Sequence, residues 1–138
     1  MKMLLLLIGA LGLSALELKY GLLSDTYNLA RPYVIADTGS KCLGELKSRG
    51  VQFKSLGNSG SKQCLIKNAV RVIKFSSTSI GSAVTLNCST AVKLSKWLKT
   101  IDARKITHMG SYNCRLIGGS RLLSEHSFGT ALKRLCVD

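Results

Sequence analysis

The sequence predicts a small α+β domain in which helices pack on a small, largely antiparallel sheet and disulfides stabilise the fold. The length of 138 residues allows one modest domain. About 46% of the residues are apolar or aromatic, which is enough for one core and too many for a disordered basic tail. Segments with helical and strand-like hydrophobic periods alternate along the chain. The five cysteines indicate disulfides if the chain is exported.

The first fifteen residues have the pattern of a cleaved signal peptide. Lys2 precedes an apolar core from Leu4 to Ile8, and small residues follow up to Ala15. The uncharged stretch is shorter than the about 20 apolar residues of a transmembrane helix. We therefore expect a signal peptide at 1–15 with cleavage after Ala15, no stable membrane span afterwards, and a secreted or periplasmic protein. An uncleaved anchor and a buried N-terminal helix are the alternatives.

The positive charge belongs to the domain and not to the leader. The chain has 20 Lys and Arg residues against 7 Asp and Glu residues, a formal charge of +13. Residues 1–15 contain only Lys2 among these, so the mature chain keeps 19 basic and 7 acidic residues, or +12. A domain with this charge attracts anionic polymers and surfaces.

The first elements follow a lead-in segment at 16–41 that carries no recognisable chemistry. Apolar positions and a terminal glycine predict a short helix at 42–49. Alternating residues predict a strand at 51–54, and the Ser/Gly-rich stretch Ser55–Ser61 predicts a turn.

A second strand is predicted at 69–75 because this segment is rich in β-branched residues. Strict alternation places Val70 and Val72 on one face. It places Arg71 and Phe75 on the other.

The best-defined predicted element is a helix at 86–100. We expect Ser76–Ser82 to be a turn and Thr85 or Ser82 to cap the helix. Three lysines point away from the apolar face and predict a solvated surface, because no aromatic residues alternate with them to stack on bases. The apolar face comprises Ala91, Leu94, Leu98 and Ile101.

The third predicted strand, 106–116, leads into the most distinctive motifs of the chain. The strand contains SYNCR at 111–115, and a glycine loop then precedes SEHSFGTA at 124–131. With the cysteine and apolar spacing from Cys42 onwards, these motifs resemble the extensin-like C-terminal domain of bacterial proteins. That family is similar in turn to the zinc-peptidase fold of the D-alanyl-D-alanine carboxypeptidase and hedgehog superfamily. The resemblance extends from about Cys42 to Ala131.

The resemblance implies a degenerate, truncated metal site. In the peptidases, the histidine of S-x-H-x-x-G-x-A-x-D ligates zinc, and the aspartate seven residues later is the second ligand. His126 occupies the first position, but Lys133 occupies the second, where an ammonium has no lone pair and repels a dication. The third ligand comes from a downstream H-x-H strand that has no counterpart before Asp138. We therefore expect an incomplete domain at 42–138, with zinc disfavoured as a cofactor and no catalytic residues.

The resemblance also implies a set of ligand-binding residues. Arg115 holds the position at which the carboxypeptidases have an arginine that binds a carboxylate or polarises a carbonyl. His126 and Ser124 complete the predicted set. Two alternatives are that Arg115 bridges the strand to the SEH loop and that Ser124 caps that loop. We expect a surface or hydrogen-bonding role for His108.

The cysteines predict two disulfides and one free thiol. They form no CxxC or CxxxH pattern, which disfavours structural zinc, and two bridges from five cysteines allow fifteen pairings. Our first choice is Cys42–Cys64, because a loop enclosing 21 residues closes a helix–strand unit and contributes about 3 kcal/mol. The second choice is Cys88–Cys114, which leaves Cys136 free.

Three functions follow as hypotheses. The first is a secreted or periplasmic, non-catalytic extensin-like protein that binds cell-wall polymer or peptide, with peptidoglycan or another anionic envelope polymer as partner. The second is a cationic secreted protein that binds anionic polymers or targets of a host or competitor. The third is a zinc-dependent peptidoglycan peptidase. No sequence-specific nucleic-acid partner is expected, and the oligomeric state is left open.

Overall fold

The structure is a computed structural model that describes residues 39–61 and 63–138. The predicted signal peptide and nearly all of the lead-in segment lie outside these residues. Two helices pack beside each other against a five-stranded sheet. The elements are α1 (Ser40–Ser48), β1 (Val51–Ser59), β2 (Ile66–Phe75), β3 (Thr78–Asn87), α2 (Cys88–Thr100), β4 (Lys105–Thr107), a 3₁₀ turn (Glu125–Phe128) and β5 (Cys136–Val137).

The sheet follows chain order from β1 to β5 and is mostly antiparallel. The pairs β1–β2, β2–β3 and β4–β5 are antiparallel, whereas β3 and β4 are parallel. The parallel pair arises because α2 provides the long crossover that parallel neighbours need. The predicted small, disulfide-stabilised α+β fold is confirmed.

The core lies between the helices and the sheet. Leu46 of α1, Val72 of β2, Leu86 of β3 and Leu98 of α2 are all fully buried in one cluster. Their removal from water provides the main driving force for packing the two layers. Neither helix in the described ranges is long and apolar enough to cross a membrane.

The prediction that Phe75 lies on the opposite face of β2 from Val72 is wrong. Phe75 is only 2% exposed and belongs to the core with Val72, whereas Arg71 is exposed. In the pairing with β1, Gln52 is opposite Lys74 and Phe53 is opposite Val72, so Ile73 is an extra residue on β2. A β-bulge adds one residue to a strand, and this reverses the alternation beyond it.

The polar segment after β2 is a strand and not the predicted turn and helix start. Only Ser76 and Ser77 form the turn, and β3 continues through Asn87. Val84 and Leu86 alternate into the core with period two. The pairing with β2 therefore outweighs the low strand propensity of the Ser/Gly-rich residues.

Asn87 caps α2, so the predicted caps Thr85 and Ser82 are wrong. The Asn87 Oδ1 atom accepts a hydrogen bond of 3.0 Å from the Ser89 amide. Its side-chain nitrogen donates to the Lys67 carbonyl at 2.7 Å. The buried amide therefore has both a donor and an acceptor partner, and it links the start of α2 to β2.

The other strand boundaries also differ from the prediction. β1 extends to Ser59 through the predicted turn, with register shifts on both sides of Gly57. The strand predicted at 106–116 is limited to β4. Beyond β4 the chain leaves the sheet, and it returns only as β5.

The end of α2 provides a stability prediction. The amides of Ala103 and Asp102 donate to the carbonyls of Leu98 and Lys99, which is the Schellman pattern, and Asp102 has φ +50°. Because glycine adopts this conformation without steric cost, Asp102→Gly should raise the free energy of unfolding by about 0.5–1 kcal/mol. Asp102→Ala is the control and should lower it. Equal urea midpoints for the two variants would contradict this explanation.

The structure pairs the four predicted disulfide cysteines differently from the prediction. Cys42 bonds Cys88 and Cys64 bonds Cys114, with Cα separations of 6.2 and 5.5 Å. The pairing differs because α1 and α2 start side by side, which brings Cys42 to Cys88. Cys64 instead meets the chain after β4. Cys136 is free and exposed.

Candidate functional site

A cleft of about 240 Å³ opens between the chain after β4 and the 3₁₀ turn. Its two walls are the segments 109–115 and 126–133, and main-chain hydrogen bonds join them. The amides of Met109 and Lys133 donate to the carbonyls of Lys133 and Gly110, each at 2.8 Å, and the Asn113 amide donates to the His126 carbonyl at 3.1 Å. The lining residues are Met109, Gly110, Ser111, Tyr112, Asn113, Arg115, His126 and Lys133.

Hydrogen bonds of Ser127 connect the 3₁₀ turn to the wall that contains Arg115. The Ser127 side chain is fully buried, and its Oγ accepts a hydrogen bond of 3.1 Å from the Arg115 amide. The same hydroxyl lies 3.1 Å from the Asn113 carbonyl and 3.0 Å from the Arg115 carbonyl, to which its proton can be donated. The sequence prediction missed Ser127. The only sequence feature that could have indicated its role is a small hydroxyl residue directly after the SEH residues 124–126.

His126 is held in one orientation by the main chain. Its Nδ1 lies 2.7 Å from the Ser111 carbonyl, which only accepts, so Nδ1 carries the hydrogen. The Nε2 atom of the neutral ring then has a lone pair for a ligand. Ser111 is itself fixed, because its hydroxyl donates to the Thr85 carbonyl of β3 at 2.6 Å. The sheet therefore positions the imidazole through one intermediate residue.

The cleft is electropositive. Arg115 and Lys133 line it, both are exposed, and neither forms an ion pair within 39–61 and 63–138. No acidic side chain is among the lining residues. Two uncompensated cations beside an oriented imidazole favour a bound anion.

The structure brings Arg115 and His126 together but places Ser124 behind the cleft. The buried Ser124 accepts a hydrogen bond of 3.3 Å from the His126 amide and caps the 3₁₀ turn. His108 also lies outside the lining. Its Nδ1 accepts from the Gly110 amide at 3.0 Å, and its Nε2 donates to the Ser82 carbonyl at 2.9 Å. Both nitrogens of His108 are therefore occupied.

The donor atoms near His126 are few. Among the residues that the structure describes, no three His, Cys, Asp or Glu side chains are grouped so that they could hold a metal ion. His126 shares the cleft with the ammonium of Lys133. The described part of the cleft is chemically suited to hydrogen bonds and ion pairs with an anion.

A family model described as "Extensin-like protein C-terminus" matches residues 40–134. This range starts with α1 and includes both disulfides and every residue that lines the cleft. No curated protein and no solved structure matches the chain.

Proposed function

The chain belongs to the extensin-like C-terminal family, and we propose that it is a secreted or periplasmic, non-catalytic domain that binds a carboxylate of a cell-wall peptide or polymer. Peptidoglycan is the proposed partner. The observation that carries this proposal is the pair of uncompensated cations, Arg115 and Lys133, in the same cleft as the oriented imidazole of His126.

A carboxylate suits this cleft for geometric reasons. The planar guanidinium of Arg115 can donate two parallel hydrogen bonds to one carboxylate. Lys133 adds a second positive charge, and Nε2 of His126 can accept a hydrogen bond from a neighbouring N–H group of a peptide. Because main-chain bonds and the Ser127 hydroxyl hold the walls, little conformational freedom is lost on binding.

The proposed lack of catalysis rests on Lys133. Catalytic zinc sites use three protein ligands and keep an open position for water. In this cleft His126 is the one such donor among the described lining residues, and the Lys133 ammonium disfavours a dication beside it. The two disulfides and the family indicate an extracellular or envelope protein.

The proposal predicts that Arg115→Ala weakens binding of a peptide ending in D-alanyl-D-alanine by about 10- to 100-fold, because a charge-assisted hydrogen-bond pair is lost. Isothermal titration calorimetry measures the change in affinity.

Arg71→Ala is the matched control, because it removes the same charge from the exposed face of β2. Equal weakening by the two substitutions would contradict a specific site. Zinc-dependent cleavage of the peptide that is lost with His126→Ala would contradict the non-catalytic role.

A further inference from the structure

The helical layer carries a basic groove that shares no lining residue with the cleft. A depression of about 230 Å³ lies between the first halves of α1 and α2, and a cavity of about 380 Å³ lies at their ends. Lys41, Lys93 and Lys96 line the depression. Arg49 and Lys99 line the cavity. We call these two spaces together the basic groove.

The basic groove has a large excess of positive charge. Its five cations face one carboxylate, that of Glu45, which leaves four positive charges. Glu45 accepts a hydrogen bond of 2.9 Å from Arg49 and lies 3.1 Å from Lys96, and these partners lower the pKa of its carboxyl. Within the described chain, Lys93 and Lys99 form no ion pair.

The cavity end of the groove has features of a sugar site. Five hydroxyl side chains line it, those of Ser48, Ser76, Ser77, Thr78 and Ser95. Among the described residues, the hydroxyls of Ser76 and Ser77 in the β2–β3 turn have no hydrogen-bond partner and are exposed. Hydroxyls beside cations suit an acidic sugar.

Two of the last carbonyls of α2 are not free to repel an anion in this cavity. Free carbonyls at a helix C-terminus would repel an anion. The Trp97 and Lys99 carbonyls of α2 instead accept hydrogen bonds from the amides of Ile101 and Asp102. Arg49 and Lys99 lie at the two helix ends, where cations offset the partial negative charge of the C-terminus.

We propose that the basic groove binds an anionic polysaccharide, with one acidic sugar in the cavity between Arg49 and Lys99 and further acidic groups beside Lys93 and Lys96. A polysaccharide fits better than single-stranded nucleic acid, because the one aromatic lining residue, Phe75, is only 2% exposed and offers bases no stacking surface. This site is independent of the cleft that contains Arg115.

The test compares two doubly substituted full-length chains that lose equal charge. Lys93→Gln/Lys99→Gln alters the basic groove, whereas Lys54→Gln/Lys105→Gln alters exposed positions on β1 and β4. Calorimetry with a glucuronic acid hexamer and with a phosphomannan fragment of equal charge should show about fivefold weaker binding for the first variant. The second variant should change affinity less than twofold. The more tightly bound saccharide identifies the acidic group as carboxylate or phosphate.

A further variant tests the hydroxyls without changing charge. Ser76 has φ +51°, so Ser76→Gly is compatible with the backbone and should fold while weakening saccharide binding about two- to fivefold. Equal losses in the two double variants would overturn the proposal, as would tighter binding of single-stranded DNA of equal charge than of either saccharide.

Discussion

Replacing Cys64 and Cys114 with alanine is expected to lower the free energy of unfolding by about 4 kcal/mol and to weaken peptide binding in the cleft. The disulfide closes a loop with a sequence separation of 50 residues, so its loss frees much chain entropy in the unfolded state. Cys114 lies in the wall that carries Arg115. One hydrogen bond between the same two segments would remain, because the Tyr112 hydroxyl donates to the Cys64 carbonyl at 3.2 Å.

The Cys42–Cys88 disulfide provides a matched control. Its sequence separation is 46 residues, so Cys42→Ala/Cys88→Ala should lose nearly the same chain-entropy contribution, about 4 kcal/mol. This bond joins α1 to α2 and does not touch the cleft, so peptide binding by the folded variant should persist. Guanidinium denaturation and calorimetry measure the two properties. Loss of peptide binding in both variants would show that peptide affinity depends on global stability and not on the Cys64–Cys114 disulfide beside the cleft.

Gly129→Ala is expected to lower the free energy of unfolding by about 3 kcal/mol and to displace the turn that carries His126. Gly129 has φ +67°, and an added Cβ would lie 2.9 Å from the Asn87 nitrogen and 3.2 Å from two Ile66 carbons. The Gly129 carbonyl also accepts a hydrogen bond of 2.9 Å from the Asn87 amide. The energetic cost of the strained backbone and that of the close contact with β3 therefore add in Gly129→Ala.

Gly57→Ala separates these two contributions. Gly57 has a similar φ of +64°, but no atom lies within 4 Å of its added Cβ. This variant should lose only about 1 kcal/mol, the cost of the left-handed backbone. Denaturation curves for both variants, with the His126 ring signals in an NMR spectrum, provide the comparison. Equal losses would mean that the contact with Asn87 contributes nothing.

The sequence predicts the elements whose apolar residues repeat with a clear period. Both helices, the first part of β1 and the later part of β2 lie where the apolar residues predicted them. β3 was missed because its Ser/Gly-rich start has low strand propensity, and only its pairing with β2 stabilises it. The bulge that turns Phe75 inward also depends on both neighbouring strands.

The site was predicted in part for a similar reason. Arg115 and His126 lie in motifs that the chain shares with a family, so their types and spacing were visible in the sequence. Ser127 and Tyr112 act through main-chain carbonyls of distant residues, and such contacts leave no periodic signal. The disulfide pairing was predicted wrongly because fifteen arrangements have similar loop entropies, and the choice depends on which elements are adjacent.

The most direct test of the central claim is an amide NMR titration of the full chain with a peptide ending in D-alanyl-D-alanine. If the cleft binds the carboxylate, shifts will concentrate at residues 109–115 and 126–133 and at the His126 ring, the peptide will stay intact, and Arg115→Ala will remove the shifts. Shifts that concentrate on α1 and α2, or that persist unchanged in Arg115→Ala, would contradict the account, as would cleavage of the peptide.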